Sequence, residues 1–200
     1  MKEVWKIALR SVLVMAAATM LTMAFASAVL ADIEWLGAVM TIVLLAVVFY
    51  VGFLEGALQG RKDRMYQASM QRQQQERGIE PTPEERTRFY KAWKGFAGAF
   101  LAASPGILLS IFMLFVAPES ELSGLLTPVV RLVLGVYLGA FGWMEGLMPY
   151  AYLPLSLLLP AMIGLGYTYG PVFYEKMMKQ IAESKRKRRR RKKKKTVPEK

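Results

Sequence analysis

From Ser11 to Ala31 the chain carries no Asp, Glu, Lys or Arg, and the same holds from Trp35 to Leu54 and from Gly95 to Ala117. About twenty apolar residues at 1.5 Å rise each match the roughly 30 Å hydrocarbon core of a bilayer. A backbone in that layer must satisfy its own hydrogen bonds, so each run predicts a helix. Leu125 to Met144 is a fourth run, interrupted by Arg131. Tyr152 to Tyr169 is a fifth, but it contains Pro154 and Pro160 and is flanked by Pro149 and Pro171. With 54% hydrophobic residues and charges kept apart from them, the pattern is that of an all-α polytopic membrane protein.

Charge sets the expected orientation. The connectors Asp32–Glu34 and Pro118–Gly124 hold acids and no Lys or Arg. Lys2, Lys6 and Arg10 precede the first run, and a dense basic connector extends from Arg61 to Lys94. Basic loops stay on the cytoplasmic side, which predicts both termini cytoplasmic in a plasma membrane. Four crossings return the chain to that side near Met148. A fifth would carry the basic tail outside, so 149–174 is expected to be a re-entrant segment, with a fifth crossing as the alternative. The expected organisation is a transmembrane hairpin over 1–58, a cytosolic helical hairpin over 59–94, a second transmembrane hairpin over 95–148, the 149–174 segment, and a polybasic tail over 175–200. Ala26-Ser27-Ala28 after a basic start also fits a signal-peptide cleavage site, and retention as a membrane helix is the favoured reading.

In the cytosolic hairpin, Gly60–Glu76 is rich in helix formers and Gly78 sits where a helix stops. Thr82-Pro83-Glu84-Glu85 reads as a fresh helix start, running through Phe89, Tyr90 and Trp93 into the third crossing. Within that crossing Ser104-Pro105-Gly106 predicts a kink at Pro105. Gly52-Phe53-Leu54-Glu55-Gly56 recurs ninety positions later as Gly142-Trp143-Met144-Glu145-Gly146, so the two hairpins read as a parallel repeat. Gly52, Gly56 and Gly60 share one helix face, as do Gly135, Gly139, Gly142 and Gly146, a spacing that suits close helix packing or, less simply, a glycine-lined path.

The chain has no Cys and no His, which removes disulfides, thiolate chemistry and the commonest base and metal ligand. No cofactor motif is present and no enzymatic role is expected. Ionisable residues in membrane helices are functional candidates because burying them is costly. Arg131 either snorkels toward the outer acids or faces a polar groove. Glu55 and Glu145 either pair with nearby basic residues or form a cation- or proton-binding pair. The run Lys185, Arg186, Lys187, Arg188, Arg189, Arg190, Arg191, Lys192, Lys193, Lys194 and Lys195 is expected to be disordered by self-repulsion. It suits anionic lipid head groups, or RNA such as a ribosome's, or a solubilising role.

Two functions compete. One is an oligomeric transport- or channel-type component built on the charges and glycine faces. The other is a membrane assembly or scaffold factor whose hairpin and tail hold a cytosolic protein, ribosome or lipid partner. A crossing, a cytosolic helical hairpin, further crossings, an intramembrane Arg and a basic tail resemble the layout of the YidC-type membrane insertases, which implies the second. The resemblance covers layout: the groove arginine of those proteins belongs to the crossing before the hairpin, whereas Arg131 follows it.

Overall fold

The computed structural model describes residues 2–29, 34–117, 120–137, 147 and 150–195. Within them the chain forms helices and no strand: α1 (Lys2–Val29), α2 (Glu34–Arg77), α3 (Pro83–Arg86), α4 (Trp93–Phe115), α5 (Glu121–Val133), a 3-10 turn (Gly135–Tyr137) and α6 (Tyr152–Lys195). Among the described residues, three helices are long and apolar enough to cross a membrane: Ile42–Arg77, Trp93–Phe115 and Tyr152–Ser184. Their outer faces leave Val43, Val47, Leu108, Phe112, Leu158 and Leu165 exposed, as a lipid-facing surface requires.

The polar residues of the apolar helices are absorbed locally. In α1 the hydroxyls of Ser11, Thr19 and Thr22 donate to the carbonyls one turn earlier, Ile7, Met15 and Ala18. Thr22 also donates to the Gly135 carbonyl at 2.8 Å, tying α1 to the 3-10 turn. α4 continues through Pro105, and Ser104 donates to the Leu101 carbonyl beside it. A core of Val48, Ala99, Met113, Val130, Tyr137, Tyr152 and Ile163 joins α2, α4, α5, the turn and α6.

Three expectations change. First, the helix expected over 125–144 stops at Val133, within the described part of that run. Thirteen residues span about 20 Å, too short for the hydrocarbon layer. Tertiary contacts hold the chain just past this end: Thr22 donates to the Gly135 carbonyl, and the buried Tyr137 hydroxyl accepts from the Leu159 N–H at 3.2 Å. Second, 152–169 does not dip and return but lies in one continuous 44-residue helix that passes through Pro160 and Pro171. Third, the basic run to Lys195 continues α6. Lys and Arg are good helix formers, cations suit a helix C-terminus, and extending an existing helix avoids the cost of nucleation.

The connector between α2 and α4 also differs in its second arm. α2 runs 44 residues, about 66 Å, before Gly78 ends it at φ 67° with its N–H on the Gln74 carbonyl. Only glycine adopts that angle without strain, so Gly78→Ala should cost about 1 kcal/mol. The check is faster proteolytic nicking between Gly78 and Pro83, with the transition of the bundle unchanged. Thr82 then caps α3 in a reciprocal box with Glu85. α3 lasts a single turn, and a return loop rather than a helical arm leads to Trp93.

Candidate functional site at the charged end of the bundle

The most extensive helix–helix contact pairs α2 with α6, and the two run in the same direction, because their contacts advance together along both helices. Gly52 faces Leu159 and Ile163, Gly56 faces the Ile163 carbonyl, and Gly60 faces the Tyr167 carbonyl. From the other side, Gly166 faces the Phe53 carbonyl and Gly170 the backbone of Gly60 and Arg61. A Cβ at Gly56, Gly60 or Gly166 would lie 2.1, 2.2 or 2.0 Å from a backbone oxygen. The absence of side chains here allows backbone-to-backbone contact, the small-residue packing of membrane helices.

Where α2 and α6 emerge together from their apolar stretches, a buried polar cluster forms. The Tyr167 hydroxyl donates to the Asp63 carboxylate at 2.6 Å. Tyr167 is fully buried, and Asp63 is 9% exposed. The Tyr90 ring stacks on Tyr167 with centroids 5.3 Å apart, and its hydroxyl donates to the Thr168 carbonyl at 3.3 Å. Lys94, in the first turn of α4, is 4% exposed and donates to the carbonyls of Thr87 and Phe89 in the return loop. Burial penalises the charged forms of Asp63 and Lys94, and each offsets part of the other's penalty by Coulombic attraction. Burial also pushes the Tyr90 phenol above its usual range, against the opposing pull of the Arg64 guanidinium.

Around this cluster the N-terminus of α1 and the return loop close in. Lys6 donates to Glu3 at 2.9 Å, and Arg88 reaches Glu3 at 3.5 Å. Arg88 also sits 5.7 Å over the Tyr66 ring. One turn deeper, Arg10 donates to Gln59 and lies 4.0 Å from Glu55. These groups bond to one another across α1, α2, α4, α6 and the loop. A carboxylate from α2, a phenol from α6 and an ammonium from α4 thus gather three helices and the return loop at one end of the bundle.

The residues singled out from sequence are distributed differently. Glu55 is half-buried and faces α1 through Arg10. Arg131 is half-buried in the last turn of α5, which packs mainly on α4 and the 3-10 turn, so the two belong to different parts of the bundle. Gly135 opens the 3-10 turn. Glu145, Gly139, Gly142 and Gly146 lie outside the described residues, and with them the second copy of the proposed repeat. Asp63, Tyr167, Lys94 and the α6 glycines were missed. A signal existed for Asp63 and for the glycines: Asp63 is the lone acid between Glu55 and Glu76 in a basic stretch, and Gly166 and Gly170 repeat the four-residue spacing of Gly56 and Gly60. Comparison of the chain with protein-family models, curated proteins and solved structures finds no match.

Proposed function

We propose that this chain is a non-enzymatic membrane scaffold, with crossings formed by α1, α2, α4 and α6, that holds the parallel α2–α6 pair out from the cytoplasmic face as a rigid docking platform. The observation that carries the reading is the shared direction and backbone contact of α2 and α6. If α2 ends on the cytoplasmic side, α6 does too, and the basic connector and the basic run fall on one face, as the positive-inside rule requires. The short α5 and the turn after it then form the outer return between α4 and α6. Beyond Leu54, α2 extends about 34 Å, and α6 is as long as α2. The polar cluster braces this pair at its base.

The transport-type reading has less support. The α2 glycine face is filled by α6 of the same chain, and Glu55 is engaged by Arg10. In proteoliposomes, ion and proton flux is expected to stay at the level of empty vesicles. Flux that vanishes in Glu55→Gln or Arg131→Ala would restore the transport reading.

Single cysteines in this cysteine-free chain test the arrangement. Gln73→Cys and Thr196→Cys should react only with reagent supplied from the cytoplasmic side, and Ser120→Cys and Tyr150→Cys only from outside. Position 150 decides: a crossing over 125–144 would place it inside. Labelling of Tyr150→Cys from the same side as Gln73→Cys would sink the proposal.

A further inference from the structure

We infer that the free end of α6 is a binding rod for the phosphodiester backbone of a nucleic acid at the cytoplasmic face, an inference that rests on the scaffold reading above. From Lys179 to Ser184 every residue of α6 is exposed, as is every residue of α2 from Gln71 to Arg77. The two helices therefore part at this level, and α6 runs on into eleven consecutive basic residues, Lys185–Lys195.

Reach argues against the protein's own leaflet as the occupant. The apolar stretch of α6 ends at Tyr169. Lys185 lies about 24 Å farther along the helix and Lys195 about 39 Å. Even a tilt of about 40° leaves the first basic residue roughly 18 Å out, and the attraction of a leaflet falls off within a Debye length of about 8 Å. Nor can the run lie flat in the interface, because an interfacial helix needs an apolar face and Lys185–Lys195 has no apolar residue.

Charge density argues for a polyanion. A helix with a basic residue at every position carries one charge per about 1.5 Å of axis, close to the one per roughly 1.7 Å of a nucleic-acid duplex. Like charges three and four apart oppose the helix, and phosphates along its length remove that repulsion. An acidic protein patch seldom offers such a continuous line of charge, and it is retained as an outcome of the test.

The test uses the full chain in nanodiscs of zwitterionic lipid, with fluorescent single-stranded RNA and duplex DNA as probes. Both should bind. With about six phosphate contacts, log K for the single strand should fall against log salt with a slope near −4. Replacing Arg188, Arg189, Arg190, Arg191, Lys192 and Lys193 by Gln should abolish that slope, and replacing the four arginines by Lys should keep it. A dye on Thr196→Cys should respond to RNA and not to exchange of zwitterionic for anionic lipid. Absent binding, binding unchanged in the Gln variant, equal binding of polyglutamate, or a dye that responds to anionic lipid instead would each overturn the inference. If Thr196→Cys labels on the Gln73 side and RNA does not bind, the nucleic-acid inference fails and the scaffold stands. Labelling on the opposite side removes both.

Discussion

Gly56→Leu is expected to lower the thermal transition of the detergent-solubilised protein by about 6–12 °C. A Cβ at this position would meet the Ile163 carbonyl oxygen at 2.1 Å and the Tyr167 nitrogen at 2.8 Å. Both are backbone atoms inside a helix, so no rotamer change relieves the overlap, and α2 and α6 must separate. Overpacking a close-packed site costs about 3 kcal/mol, at the upper end of the usual range because backbone yields least. For a chain of this size each kcal/mol corresponds to roughly 2–4 °C. Gly60→Leu should behave alike, since its Cβ would meet the Tyr167 carbonyl oxygen at 2.2 Å. Gly124→Leu is the control, because nothing lies within 4 Å of its added Cβ. The measurement is fluorescence-detected size exclusion after heating. Equal transitions for Gly56→Leu and Gly124→Leu would show that α2 and α6 are not in backbone contact.

The second large effect is expected at the polar cluster, where Asp63→Ala should cost about 3 kcal/mol. The change leaves the Tyr167 hydroxyl without its acceptor and Lys94 buried without the carboxylate that most favours its charge. Lys94→Met should cost a similar amount, since the Thr87 and Phe89 carbonyls lose their donor and Asp63 loses its counter-charge. The double variant should be less damaging than the sum by about 1–3 kcal/mol, because each single change already spoils the same network. Tyr167→Phe, which removes one hydroxyl and keeps the stacked ring against Tyr90, should cost about 1 kcal/mol. Additive costs for the double variant would mean that Asp63 and Lys94 act independently. The same variants should loosen the return loop, read as faster hydrogen exchange from Thr87 to Lys91.

Together the two experiments address one mechanical unit. The glycine seam sets the direction of α6, and the cluster fixes α4 and the return loop on the pair where it leaves the apolar region. Under the scaffold reading proposed above, a helix presented far from the membrane would need its base held, since angular play there grows with distance along the rod. The seam and the cluster supply that restraint from within one chain.

Much of this was legible in the residues themselves. The charge-free runs dictate apolar helices, because their length matches a bilayer and their backbones need internal hydrogen bonds. Gly78 dictates the end of α2 and Thr82 with Glu85 the start of α3, because stop and cap chemistry is local. Local pattern misjudged which apolar runs continue as one helix and which stop short. Leu125–Met144 has fewer prolines than Tyr152–Tyr169, yet α5 stops at Val133 and α6 passes through Pro160 and Pro171. The turn is held by Thr22 and Tyr137 across contacts 113 and 22 residues apart in sequence, which no local pattern records. Likewise the pairing of Asp63 with Tyr167 spans 104 residues. Helix formation is decided by neighbours one turn away, so the sequence determined it. Helix direction and the polar cluster are decided by which glycine faces meet, and only the tertiary structure determined that.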